Sequence, residues 1–505
     1  MYEQLGTAIV NILHFKYLIP LLAGTFAGLI GGALPGVTIT MTIIMVLPFT
    51  FGLDPLQGLA AMTGVYVGGS AGGAITAALI GIPGTPSAIT TTFDGFPMAR
   101  KEPGRAVWLG LWSSFFGGLL GGVFLIGATG QLAAIALEFG PWEYFSLFIF
   151  ALSMVAGLTE GSLVKGLLSG ALGLMVTIVG SDPVMSTPRF TLGWDFLRNG
   201  FQFLPVLIGI FAFAQIMTDI EKFGRGAGTI APVKTPPLTV SHLKVIWEIL
   251  SRPVLVVWTT LVGIVIGVLP AIGGSAATVM AYDQAKKISK HPERFGKGNP
   301  EGIIASEVSC NANVGGSLVT ILAFGIPGDA VTAVMLGAMT IHGIQSGPLF
   351  ITQEPRLAYG IFAAYLIAHP LMILLMLLTA RFFLRIVTVP KSMLIPIVLV
   401  LCMVGAFALN NIVSDVWVLL IFGVIGYGLV KFRFPLAPLI LGLILGDQIE
   451  VNLIRAIMTD SNLWLFFTRP ISGLMLGLSL ASVVFALWQH QRHKKRPITD
   501  DDVDF

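Results

Sequence analysis

The sequence predicts an all-α polytopic membrane protein with roughly ten to twelve transmembrane helices, arranged as two structural repeats that contain broken helices. Three observations carry this prediction. The composition is too apolar for a soluble core, long stretches are nearly free of charge, and one set of glycine- and proline-bearing breaks occurs twice in the same order.

Of the 505 residues, 55% are hydrophobic and only 11% charged, against roughly 25% charged in an ordinary soluble domain. Residues 108–135, 397–407 with their flanks, and 471–488 are long and apolar enough to cross a hydrocarbon core as helices. Most of the 60 glycines, including Gly117-Gly118 and Gly121-Gly122, suit close helix packing in lipid. A formal charge of +3 gives no electrostatic basis for a nucleic-acid partner. Its placement says more: cations gather at Arg100, Lys101 and Arg105, over 286–297, and over 492–496, as cytoplasmic segments of a membrane protein do. Residues 490–505 read as a charged cytoplasmic tail. Cys310 and Cys402 stand far apart, so neither a disulfide framework nor a structural metal site is indicated. Residues 1–16 lack the basic region and small-residue cleavage site of a secretory signal, so the first helix is expected to stay attached.

Along the chain, Gly32-Ala33-Leu34-Pro35-Gly36-Val37 recurs as Gly267-Val268-Leu269-Pro270-Ala271-Ile272. Gly72-Gly73-Ala74-Ile75-Thr76 leads into Gly81-Ile82-Pro83-Gly84, just as Gly316-Ser317-Leu318-Val319-Thr320 leads into Gly325-Ile326-Pro327-Gly328. Thr92-Phe93-Asp94-Gly95 has its counterpart in Thr340-Ile341-His342-Gly343. The division is expected at a polar linker, 224–242, which holds Pro232, Pro236 and Pro237. This leaves a first transmembrane half over 1–223 and a second over 243–489.

Proline removes an intrahelical hydrogen bond and glycine exposes backbone, so such breaks at membrane depth free N–H and C=O groups. A lone proline could be a simple kink. Four breaks in matched pairs point instead to half-helix ends, whose N–H groups attract a carboxylate and whose freed carbonyls can hold a cation. The residues expected to bind a small carboxylate are Ser70, Gly72, Gly73, Thr76, Gly84, Thr85 and Ser87 in the first copy. In the second they are Asn311, Asn313, Gly316, Ser317, Gly328 and Thr332. Glu307 and Asp329, with the carbonyls freed at Pro35 and Pro270, are the candidates for a coupling ion, Na⁺ or H⁺, because intramembrane carboxylates are costly. Asp94 and His342 are expected to anchor loops or act as a gate. No cofactor is expected.

Charge also bears on orientation. The loop after the first Ile-Pro-Gly carries Arg100, Lys101 and Arg105, whereas 342–354 has no Lys or Arg; between the paired breaks the bias reverses. Opposite biases at equivalent places predict inverted repeats. One conflict remains: 222–244 and 286–297 are both basic, yet a single crossing over 253–281 would separate them. A re-entrant hairpin at Leu269-Pro270, or an interfacial helix near 242–250, would remove it.

The order of these motifs resembles a known family. Leu34-Pro35-Gly36, Gly72-Gly73, Ile82-Pro83-Gly84-Thr85, Asp94-Gly95-Phe96-Pro97-Met98-Ala99-Arg100, Leu269-Pro270, His291-Pro292-Glu293-Arg294-Phe295-Gly296-Lys297-Gly298 and Gly325-Ile326-Pro327-Gly328 look like the large membrane subunit of the tripartite tricarboxylate transporters, the TctA type. The resemblance runs from Leu34 to about Arg455. It implies a bacterial inner-membrane protein that works with a small membrane subunit and a periplasmic solute-binding protein and imports carboxylates on an ion gradient without ATP hydrolysis. Departures stand beside the breaks. Gly81 replaces a common Asn, Pro270-Ala271-Ile272-Gly273 a Pro-Gly-Ala-Gly, Ser306-Glu307-Val308-Ser309-Cys310-Asn311 a Pro-Glu-Ala-Ala-Asn-Asn, and Asp329 a small residue. These bear on which carboxylate is carried.

Three other classes can be compared with this reading. A self-sufficient carrier or channel would share the composition and differ in needing no binding protein. An intramembrane aspartyl protease is suggested by Tyr282-Asp283 and Gly328-Asp329, but Ile326 occupies the first position of the required Gly-x-Gly-Asp. An ATPase lacks its Gly-x-x-x-x-Gly-Lys-(Ser/Thr) phosphate loop.

Overall fold

A computed structural model describes residues 2–158, 163–182, 186–224, 238–270, 272–386 and 391–495. Most of the polar linker expected over 224–242, and 496–505 of the tail, lie outside the described residues. The described chain is almost entirely helical, an all-α polytopic membrane protein.

After α1 (Tyr2–Leu13), α2 (Phe15–Ala33) stops where the sequence places Pro35: Leu34 turns extended (φ −88°, ψ 112°) and Gly36 takes φ +93°. The chain doubles back as α3 (Ile39–Val46), whose first turn is capped by Thr38 accepting from the Met41 amide. Next comes α4 (Pro55–Ile80), started by a capping box of Asp54 and Gln57. The mouth of the α2–α3 hairpin is closed where Lys16 Nζ lies 3.6 Å from Asp54 and Gln57 donates to the Lys16 carbonyl at 2.7 Å. Gly81 ends α4 in the left-handed conformation (φ +70°), and α5 (Ile89–Ala99) and α6 (Pro103–Leu137) follow.

Then come α7 (Pro141–Leu158), α8 (Leu163–Thr177), a two-residue antiparallel pairing of β1 (Gly180–Ser181) with β2 (Pro188–Arg189), α9 (Phe203–Leu207) and α10 (Ala214–Gly224). Past the linker, α11 (His242–Leu250) meets α12 (Pro253–Val268) at a 77° bend. The second set of breaks also stops one helix and starts another that doubles back, with the positive-φ glycine two positions later relative to the Leu-Pro. Leu269 is extended (φ −77°, ψ 125°), Gly273 takes φ +77°, and α13 (Gly274–Ile288) doubles back. Asn299 caps α14 (Pro300–Phe324), which ends at Gly325 (φ +71°), and α15 (Ala330–Ile341), α16 (Phe350–Gln353) and α17 (Pro355–Ile386) follow. The chain closes with α18 (Lys391–Asn410), α19 (Val413–Lys431), α20 (Leu436–Thr459), α21 (Leu465–Thr468) and α22 (Pro470–Lys495).

The charge conflict in the sequence is removed by the first of the two remedies, the hairpin. α12 and α13 form a re-entrant hairpin: Leu255 near the start of α12 packs with Ala285, Phe295 and Ala305, and Arg252 lies 3.8 Å from Glu301. The start of α12 and the 289–299 loop therefore share one end. The bent-off α11 is held at that end by paired bonds from Arg105 to Glu248, at 2.7 and 3.1 Å.

Among the described residues nine helices are long and apolar enough to cross a membrane, or up to ten if the bent α11–α12 pair counts as one span. The expected ten to twelve meets this count at its upper end; segments such as 39–46, 274–288 and 330–341 double back as short helices.

The chain forms two compact units, 1–137 with 204–427, and 138–203 with 428–505. Each unit draws one piece from either side of the linker. The first is packed through glycines at four-residue spacing. Built Cβ atoms on Gly24, Gly28 and Gly32 would strike the α4 backbone, and those on Gly64, Gly68 and Gly72 the α2 backbone; this is the small-xxx-small packing of helices in lipid. Gly263 and Gly267 do the same between α12 and α14, as Gly117 and Gly121 do between α6 and α14. In the second unit Gly173 meets Leu439 and Gly442 meets Gly170, joining α8 to α20. There Arg469 also donates to the buried Glu143 at 2.5 Å.

Candidate functional site

The breaks place four helix starts inside the first unit, those of α3, α5, α13 and α15. Their tips meet at four glycines. Gly84, in the tip before α5, lies so close to the Gly32 carbonyl and the Thr76 hydroxyl that a Cβ would collide with both. Gly328, in the tip before α15, would put a Cβ 2.7 Å from the Gly267 carbonyl and 2.6 Å from Ser317 Cα. Close backbone approach is what these positions need glycine for.

Side chains cross from one copy to the other at this level. Tyr66 of α4 donates to Asp329 ahead of α15. A Cβ on Gly274, the first residue of α13, would lie 3.3 Å from Ser87 Cβ and 3.5 Å from Asn313 Oδ1, and one on Gly273 would lie 3.6 Å from Asp329 Cβ. Cys310 Sγ sits 3.9 Å from the Ser70 carbonyl, and Thr85 and Ser87 share a hydrogen bond at 3.1 Å. Ser70, Gly73, Thr76, Gly84, Thr85, Ser87, Asn313, Ser317, Gly328 and Asp329 are thus gathered around the tips. Gly72 and Gly316 are used differently, Gly72 packing α4 on Leu29 of α2 and Gly316 packing α14 on Ile264 of α12. Pro35 and Pro270 are both buried; the carbonyl freed at Val268 accepts from Thr320 at 3.0 Å.

Asp329 also has a local task. It caps α15 by accepting from the Thr332 amide (2.8 Å) and hydroxyl (2.9 Å), which occupies Thr332 as well. Glu307 stands apart from the tips, fully enclosed by α5, α6 and α14. Its two oxygens accept from Thr91 (2.5 Å) and Ser114 (2.9 Å), and no cation pairs with it among the described residues. Asn311, one turn on, donates to the Glu307 carbonyl at 3.3 Å and keeps an unpartnered Oδ1; its own carbonyl accepts from Tyr365 of α17. Asn311 therefore belongs with Glu307 rather than with the tips.

Asp94 makes the contacts of an anchor. It is completely buried and accepts from the Gly298 amide (2.9 Å), the Asn299 amide (2.7 Å) and the Tyr282 hydroxyl (2.8 Å), tying the end of α5 to the start of α14. Its counterpart His342 caps the end of α15 beside Gly58 at the start of α4, with Nε2 unpartnered. Burial holds its imidazole below the usual range against the pull of Asp54. Asp283, the second carboxylate of the protease reading, is exposed and paired with Lys287 at 2.6 Å, away from Asp329.

A model of the tripartite tricarboxylate transporter TctA family matches residues 18–441. The chain belongs to that family. A curated relative from Agrobacterium vitis, an uncharacterized 52.8 kDa protein in the TAR-I ttuC' 3' region, is 35% identical over 474 residues, covering 94% of this chain and 93% of its own. An uncharacterized protein of the TAR-II ttuC' 3' region in the same organism is also 35% identical, over 48% of this chain and all of its own length. No solved structure matches. The protein is thus a multi-pass membrane member of a transporter family.

As a TctA-family chain it can be read at its departures. Gly81 holds φ +70°, a conformation that the common Asn also tolerates, so that exchange leaves the end of α4 alone. Asp329 and Cys310 are different: both face the meeting of the tips, and Asp329 has Tyr66 as its partner. Sequence reasoning missed Tyr66 and Ser114, and named Tyr282 only beside Asp283, not as the partner of Asp94. For Tyr66 and Ser114 the only signal is a hydroxyl among mostly apolar and small neighbours, whereas Tyr282 lies in a helix that also carries Asp283, Lys286 and Lys287.

Proposed function

We propose that this chain is the large membrane subunit of a tripartite, binding-protein-dependent secondary transporter that imports a small carboxylate, a tricarboxylate or a related organic acid, across the bacterial inner membrane on an ion gradient. One observation carries the reading: four helices start at broken tips in the interior of one unit, with Ser87, Asn313, Ser317 and the Tyr66–Asp329 pair between them. Helix starts present N–H groups and positive dipole ends, which favour an anion. The freed carbonyls at Leu34-Pro35 and Leu269-Pro270, with Asp329 or Glu307, supply acceptors for Na⁺ or H⁺. The matched hairpins are read as inverted repeats that rock against each other, exposing the tips to either side in turn. Family membership supports a small membrane subunit and a periplasmic solute-binding protein as partners.

The test is uptake into proteoliposomes containing both membrane subunits, with mono-, di- and tricarboxylates offered in turn and the Na⁺ and pH gradients varied independently. Carboxylate uptake that needs both a gradient and the binding protein is the expected result. Undiminished uptake without the binding protein would leave a self-sufficient carrier; uptake indifferent to both gradients would leave a channel.

A further inference from the structure

Away from the tips, at the mouth of the α12–α13 hairpin, lies a cavity of about 410 Å³ lined by Arg105, Arg252, His291, Arg294, Lys297 and Glu301. Such a volume suits a small polar group. Its charge is uneven. Arg105 is held by Glu102 and Glu248, Arg252 lies 3.8 Å from Glu301, and His291 lies 3.4 Å from Glu293. Arg294 and Lys297 have no ion pair among the described residues. The start of the 25-residue α14 opens into the same space and adds its positive end.

The surroundings are apolar on the elements that hold Arg252. α11, bent off by 77°, exposes Leu243 (80%) and Trp247 (72%), and the first turns of α12 expose Val254 (76%), Val257 and Trp258. A short helix with an exposed tryptophan at such a bend is the pattern of an element lying in the membrane interface. A soluble anion would gain nothing from that surface. A molecule with a phosphate and hydrocarbon chains would use both.

We propose that this cavity binds the phosphate of an anionic phospholipid headgroup, with Arg294 and Lys297 as its free cations and the acyl chains along the exposed face of α12. Basic pockets beside interfacial helices are suited to such headgroups. The bound lipid would brace the returning hairpin from outside.

The test uses the full-length protein in lipid discs of phosphatidylcholine, alone or mixed with phosphatidylglycerol, read by melting temperature and by lipid retained in native mass spectrometry. Phosphatidylglycerol is expected to raise the melting temperature and to stay bound. The exposed double variant Arg294→Gln with Lys297→Gln should melt like the wild type in phosphatidylcholine but bind phosphatidylglycerol about tenfold or more weakly. Equal phosphatidylglycerol effects on both proteins, or none on the wild type, would overturn the site. If inorganic phosphate added to phosphatidylcholine discs protected the wild type as well, the ligand would be a free anion and the lipid assignment would fall.

Discussion

A carboxylate leaves water only where donors replace its hydration, and the buried Asp94 and Glu307 and the half-buried Asp329 of the first unit find theirs in different ways. Asp94 takes two backbone amides and a phenol, each on a segment far along the chain. Replacing it by Ala would strand all three donors in a buried place, so a loss of about 3 kcal/mol is expected, read as a lower melting temperature and less folded protein. Glu307 takes only hydroxyls. A Gln there can accept from one of the two hydroxyls and donate its amide to the oxygen of the other, so Glu307→Gln should fold normally while uptake falls roughly 5- to 150-fold and loses its gradient dependence. Wild-type uptake in the variant would remove Glu307 from ion coupling. Asp329 divides its oxygens between a helix cap and Tyr66, and Tyr66→Phe should cost about 1 to 3 kcal/mol in melting experiments. Glu307 and Asp329 are legible in the sequence because an acid in an apolar stretch stands out. Tyr66 is not, since 263 residues separate it from its partner and nothing local marks the pairing.

Elements break where local chemistry forces them to. Leu-Pro and Gly-Ile-Pro-Gly announce the breaks in the sequence, and the structure places left-handed glycines at Gly36, Gly81, Gly273 and Gly325 beside them. The local code does not say what happens after a break. A segment can kink and go on or turn back, and that choice rests on packing between α2 and α4 and between α12 and α14, which the sequence shows only as glycines every fourth residue. Those glycines are not equivalent. Gly84→Ala would drive a methyl into the Gly32 carbonyl, where no side chain can yield, and should cost about 1 to 3 kcal/mol. Gly127 and Gly130 in α6 have open space around them, so alanine there should be neutral or stabilising by up to about 1 kcal/mol. Melting temperatures of the single variants in one detergent would separate the two classes; equal losses would mean that the tips are not closely packed.

At the scale of the whole molecule, the hairpin mouths tie charge to topology. Lys16, Asp54 and Arg356 cluster at the start of α4, Arg356 lying 3.4 Å from Asp54 and donating to Tyr17 at 2.6 Å. Arg105, Glu248, Arg252 and Glu301 cluster at the start of α14. α4 runs about 39 Å from the first cluster, and α5, which follows it, ends beside Gly298 in the second. If the copies are inverted, the two clusters face opposite sides of the membrane, and the excess of cations over 286–297 puts the second inside. Lys297 and Gln353 are both exposed, and native Cys310 and Cys402 are buried, so single cysteines can report each side. A membrane-impermeant maleimide added to spheroplasts should label Gln353→Cys and spare Lys297→Cys, and inverted vesicles should give the reverse. Labelling of both from one side would make the copies parallel, and alternating exposure by rocking of inverted halves would then have no basis in this fold.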